Sequence, residues 1–190
     1  MPSDVLAADG LYLLYGPRRV GKTVAVKRTI QSLLANGTEP LQIIRVSVDG
    51  WRANRLGMLH DYVTNIATSL IGDRRRCWFI DEIPASNGGW WTVIEDLRDN
   101  TAFGDDCVVL TGSSNRNLDD AIKAFAGRRG SAIDPDRCLL PTNFREFCVA
   151  SKVDIGSEID MRLDELYSEL GRAAGGGWNR SLTLGRLIWR

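Results

Sequence analysis

Gly16-Pro17-Arg18-Arg19-Val20-Gly21-Lys22-Thr23 has the spacing G-x-x-x-x-G-K-[ST] of a phosphate-binding loop, and what flanks it decides the fold. Before it, Leu11-Tyr12-Leu13-Leu14-Tyr15 is a short apolar run of strand type. After it, Val26, Ile30, Leu33 and Leu34 recur at helical spacing toward Asn36-Gly37. Strand, glycine loop and helix come in the order such a loop requires. Its glycines let the backbone curl so that consecutive N–H groups face phosphate oxygens, and the positive end of the helix lies behind them. Lys22 is expected to reach the β- and γ-phosphates and the Thr23 hydroxyl to ligate Mg2+. Gly16, Pro17, Arg18, Arg19, Val20, Gly21, Lys22, Thr23 and Val24 make up the candidate nucleotide-binding segment. The alternative is a glycine-rich turn that binds nothing, and the pattern arises by chance in roughly one chain of this length in a hundred.

The composition bounds the remaining readings. With 190 residues, 44% hydrophobic and 25% charged, the chain can bury one sizeable core. Lys plus Arg and Asp plus Glu both number 24, so no overall field draws it to a polyanion, and any nucleic-acid contact would be local. Neither a secretory signal nor an uninterrupted apolar run of membrane length stands in the sequence, which makes a cytoplasmic protein without a membrane partner the simplest expectation. Cys77, Cys107, Cys138 and Cys148 show no C-x-x-C or Cys/His clustering and read as buried thiols. His60 is the single histidine, which argues against a His-based triad or a multi-histidine zinc site.

Along the chain, residues 41–48 read as a second strand, followed by Leu56, Leu59, Val63, Ile66 and Leu70 on one helical face. Asp49, at that strand's end, reads as a turn residue. The apolar run Cys77-Trp78-Phe79-Ile80 suits a parallel strand buried on both faces, and it ends in Asp81-Glu82. Two acids at the exit of a buried strand, downstream of the glycine loop, are a metal carboxylate and a water-activating glutamate in such proteins. Asp81 takes the first role and Glu82 the second. Arg74-Arg75-Arg76 before the strand reads as a solvated entrance.

Trp90, Val93, Ile94 and Leu97 give another helix, with both Trp90 and Trp91 assigned to packing. Cys107-Val108-Val109-Leu110-Thr111 is a further buried strand. At its end Ser113, Ser114 or Asn115 could hydrogen-bond the γ-phosphate or its attacking water, and the sequence does not separate them. Ala126-Gly127-Arg128-Arg129-Gly130 presents two guanidinium groups, read equally as surface residues or as a transition-state arginine, Arg128 or Arg129 acting in cis or in trans. A last strand, Arg137-Cys138-Leu139-Leu140, leads to Asn143, expected to cap a short helix. Ile159, Leu163, Leu166 and Leu170 define a later amphipathic helix opened by Ser157. Residues 172–190 combine arginines, a glycine run and apolar side chains, as in a tail that leads to a missing domain.

Taken together, residues 16–23, Asp81-Glu82-Ile83, Leu110-Thr111-Gly112-Ser113-Ser114, Ala126-Gly127-Arg128 and Leu140-Pro141-Thr142-Asn143-Phe144-Arg145-Glu146-Phe147 resemble the N-terminal domain of a group of predicted AAA-like prokaryotic ATPases. The resemblance spans about residues 8–150. It departs from that group at Thr142-Asn143, where Leu-Ser is the usual pair, and in the C-terminal region, which is missing or reduced here. What it implies is a three-layer α/β/α P-loop NTPase fold, with a mostly parallel sheet in strand order 5-1-4-3-2. The implied domains are an ATPase core over 1–150, a C-terminal helix over 151–171 and a tail over 172–190. ATP is preferred over GTP because no Asn-Lys-x-Asp or Thr-Lys-x-Asp guanine-reading segment is present. The expected activity is Mg2+-dependent ATP hydrolysis, with ATP and Mg2+ as cofactors. Lys22, Glu82 and Arg128 are the catalytic candidates, Thr23 and Asp81 the metal candidates, and Ser113 a nucleotide contact. A homo-oligomer that supplies an arginine between copies, or a protein or nucleic-acid partner, is compatible with this reading. The alternative is a nucleotide-binding switch or scaffold with negligible turnover.

Overall fold

Five short runs rich in Leu, Ile, Val and aromatic residues form the strands. They are β1 (Leu11–Tyr15), β2 (Ile43–Ser47), β3 (Cys77–Asp81), β4 (Cys107–Gly112) and β5 (Asp136–Cys138). All pair in parallel, in the order β2-β3-β4-β1-β5, which is the expected 5-1-4-3-2 arrangement read from the other edge. The computed structural model describes residues 6, 9–72, 74–83, 89–112, 122–154, 156, 159, 161–162 and 165. The sheet lies in the first of two compact units, Met1–Leu140, and the second is Pro141–Arg190.

Strand burial follows position. The central strands β1, β3 and β4 are almost wholly buried, whereas β2 at the edge is half-covered. One face is covered by α1 (Lys22–Ala35), whose Val26, Ile30 and Leu33 pack on Tyr12, Phe79 and Val109. The other is covered by α2 (Asn54–Ile71) and α3 (Gly89–Asn100), which place Leu56, Leu59, Val63, Trp90, Ile94 and Leu97 against Leu13, Trp78, Ile80 and Leu110. This is the three-layer arrangement, and both Trp90 and Trp91 lie in the packing as expected. Ile66, expected on the inward face of α2, is exposed. An 18-residue helix about 27 Å long outruns five-residue strands of about 16 Å, so its later turns pass the sheet edge.

The strand entrances hold a polar network that the sequence concealed. Arg76 is buried, contrary to its reading as a solvated residue, because Asp106 lies under it. The Asp106 carboxylate accepts from the Arg76 backbone N–H and from Trp78 Nε1, each at 2.8 Å. Arg76 Nε stands 3.4 Å from the same carboxylate without hydrogen-bond alignment, and Nη1 donates to Thr64. His60 is buried against Trp78 and Phe103, with ring centroids 5.9 and 5.7 Å away. Near these entrances Arg98 donates to the carbonyls of Asp9, Phe103, Asp106 and Arg128.

In the second unit, α4 (Phe144–Ala150) begins as expected at Asn143. The Asn143 side chain accepts from Glu146 N and the Glu146 carboxylate accepts from Asn143 N, both at 2.9 Å, forming a reciprocal capping box. The helix assigned to Ser157 through Leu170 lies mostly outside the described residues, and residues 172–190 lie wholly outside them. Among the described residues no helix is long and apolar enough to cross a membrane.

Removing the Asp106 carboxylate strands the buried Arg76 charge and the Trp78 N–H together. Asp106→Ala is expected to cost about 3–5 kcal/mol of stability, read as a lower urea midpoint by far-UV circular dichroism.

Candidate functional site

At the C-terminal end of β1 the chain turns through Gly16 (φ 147°), and Gly21 (φ 101°) caps α1. Both angles favour glycine, and at Gly16 space also requires it. A Cβ there would collide with the Leu139 carbonyl oxygen, because the chain leaving β5 presses on the base of the loop. Lys22 opens α1 and is largely buried. Its ammonium lies within the loop and donates to the Gly16 and Pro17 carbonyls at 2.8 and 2.7 Å. Burial pushes its pKa below the ordinary lysine value, opposed by the negative charges of Asp81 and Glu82. Pro17, Arg18 and Arg19 are exposed along the rim, Val20 is partly covered, and Val24 faces solvent on α1.

The loop meets the acidic strand at a single carboxylate. Asp81 is buried at the end of β3, and its Oδ2 accepts from the Thr23 hydroxyl at 3.1 Å. Thr111, fully buried on β4, donates its hydroxyl to Asp81 Oδ1 at 2.5 Å. The same hydroxyl oxygen accepts from Glu82 N at 3.0 Å, and the Thr111 carbonyl accepts from Ile83 N at 2.8 Å. Glu82 adopts φ 65°, a left-handed conformation unusual for a residue with a side chain, and is exposed beside the buried aspartate. The turn after β3 thus separates the acids, one held inside and one free to meet solvent.

Two participants carry no mark in the sequence. Arg45 Nη2 lies 3.1 Å from Asp81 Oδ2, so the carboxylate already has a cationic neighbour. Nothing along the chain distinguishes Arg45 beyond its place in the alternation of β2; only the Ser47–Asp81 register brings it close. Thr111 reads along the chain as the last residue of a strand, and its bond to Asp81 also depends on the pairing of neighbouring strands. A groove of about 430 Å³ runs between α1 and β2, lined by residues such as Lys27, Ile30 and Ile43. It touches this site only through Arg45.

Arg128 is not brought to the loop. Its guanidinium pairs with Asp99 Oδ1 and Oδ2 at 2.8 and 2.9 Å and reaches Glu95 at 3.2 Å, on the last turns of α3. Arg129 pairs with Asp136, donates to the Leu11 carbonyl and lies 5.3 Å from the Phe125 ring centroid. Leu11 begins β1, whereas the loop leaves its other end, so both arginines sit about a strand length from the phosphate cradle. Ser113, Ser114 and Asn115 lie outside the described residues.

The donors around Thr23 fit magnesium. A hydroxyl and a carboxylate are hard oxygens, with no thiol or imidazole among them. Among the described residues no cluster of three or more His, Cys, Asp or Glu could hold a metal alone, so a cation here would depend on phosphate oxygens as well. A family model described as an AAA domain matches residues 8–148. No curated protein matches the chain.

Thr111→Val keeps the shape of β4 but removes the hydroxyl that joins Asp81 to the Glu82 backbone. A loss of about 1–3 kcal/mol is expected in urea unfolding, with the β-sheet signal retained in the folded state.

Proposed function

Since the chain belongs to the AAA domain family, we propose that it binds ATP at residues 16–23 and hydrolyses it with magnesium. The observation that carries this reading is the Thr23–Asp81 contact, which joins the loop to an acid 58 residues away. Lys22 leaves the Gly16 and Pro17 carbonyls to pair with the β- and γ-phosphates, exchanging neutral acceptors for charged ones. Thr23 and Asp81 hold the cation, which when bound neutralises charge on the phosphate oxygens. Glu82, exposed next to Asp81, accepts a proton from the attacking water. ATP is the preferred nucleotide because the sequence has no guanine-reading segment.

One specific observation favours a second reading, a nucleotide-dependent switch that turns over slowly as a single chain. Arg128 and Arg129 are both engaged by carboxylates at the far end of the sheet, leaving neither to complete the site of its own chain. An arginine supplied by another copy would join the two readings, with turnover rising on assembly.

Phosphate release from Mg·ATP, measured over a range of chain concentrations, tests both. Glu82→Gln is expected to lower the rate by about 10²-fold or more while leaving nucleotide binding intact, and Lys22→Ala to weaken binding itself. A rate per chain that rises with concentration supports the shared site. Binding without release, unchanged by Glu82→Gln, supports the switch and removes Glu82 from catalysis. Arg45→Ala removes the cation beside Asp81 and is expected to raise the affinity for Mg·ADP over metal-free ADP, read by isothermal titration calorimetry.

A further inference from the structure

Cys77 and Cys107 open neighbouring parallel strands and are direct register partners. Adjacent strands stand about 4.8 Å apart, inside the Cα separation of roughly 4.4–6.8 Å that a disulfide spans. Both side chains point to the α1 face, in the cluster with Phe79 and Val109. The backbone beneath them is pinned, since Cys107 N donates to the Arg76 carbonyl and Arg76 N to the Asp106 carboxylate. Their exposures differ: Cys107 is buried, while Cys77 is partly accessible, and both are free thiols.

We propose that Cys77 and Cys107 form a reactive dithiol that small-molecule disulfides of the glutathione class convert to a cross-strand disulfide. Cys77 is the attacking sulfur and Cys107 the resolving one. The Cys77 thiolate attacks one sulfur of oxidised glutathione, forming a mixed disulfide and expelling one glutathione thiolate, which takes up the proton that Cys77 gave to solvent. Cys107 then loses its proton and attacks Cys77 Sγ, expelling the second glutathione. The protein gives up two hydrogens and two electrons, and one oxidised glutathione becomes two reduced ones. The order of attack follows from exposure and from the thiol–thiol hydrogen bond. That bond draws the Cys77 pKa below the ordinary thiol value, against the opposing effects of burial and Asp106, and pushes that of Cys107 up.

No other pairing within the sheet has this geometry. Cys138 lies on β5, two strand spacings from Cys107 and three from Cys77, or about 10 and 14 Å. Burial raises its pKa as well. Cys148 belongs to the second unit and serves as an internal control.

The test exposes the whole chain to excess oxidised glutathione, alkylates the remaining thiols and maps tryptic peptides. Cleavage after Arg76, Arg98 and Arg116 places the two cysteines on separate peptides, so a link between them is read directly. The expected result is a loss of two hydrogens, alkylation of Cys138 and Cys148 only, and the 77–98 and 99–116 peptides joined. Cys107→Ser is expected to stop at a glutathione adduct on Cys77, and Cys77→Ser to slow the reaction of Cys107 by about tenfold or more. Four alkylatable thiols surviving in the wild-type chain would overturn the proposal, as would a link through Cys138 or Cys148. A stable wild-type adduct on Cys77 would remove Cys107 as resolving thiol. The readout is chemical and does not depend on whether the chain hydrolyses ATP.

Discussion

The Asp81 carboxylate is the constraint on which the site depends. A buried carboxylate needs donors, and this one draws them from three separate elements: Thr23 on α1, Arg45 on β2 and Thr111 on β4. Burying the charge without these partners would cost several kcal/mol, so the helix and both neighbouring strands are held to one arrangement around it. The glycine loop is positioned by the same requirement, because Thr23 follows directly on Lys22. Structure and proposed chemistry therefore share a group, and the oxygens that would meet a cation are the ones that join the loop to the sheet.

Much of this is legible along the chain, for a physical reason. The loop's glycines, the lysine and threonine after them and the acids after an apolar run are local patterns that seldom occur together by chance. Strand order is legible through the resemblance, and the alternation of apolar runs with helical patterns agrees with it. What the sequence conceals is set by register. Arg45 and Thr111 become part of the site only because Ser47 lies beside Asp81 and because β4 carries Thr111 next to the end of β3. Arg76 misleads for the same kind of reason. Three consecutive arginines look solvated until a carboxylate 30 residues later is found beneath the third.

Arg128 shows the opposite limit. An arginine after a glycine, downstream of the β4 strand, suits a catalytic reading in sequence, but the course of the chain carries it back to the strand entrances, where Asp99 and Glu95 engage it. Position along the chain and position along the sheet differ here, because a parallel strand's return connection must cross the layer to its starting edge. A residue late in such a connection therefore stands at the strand entrances, away from the glycine loop.

The four carbonyls gathered by Arg98 have a meaning for chain statistics. Its bonds to Asp9 and Arg128 span 89 and 30 residues, so one side chain closes two long rings as well as two short ones. Ring closure costs entropy that grows only with the logarithm of length, by about 0.6 kcal/mol per doubling. Lengthening a solvent-facing turn inside either ring would thus change that cost little. Contacts of this range also raise the mean sequence separation of contacting residues, the topological quantity with which folding slows.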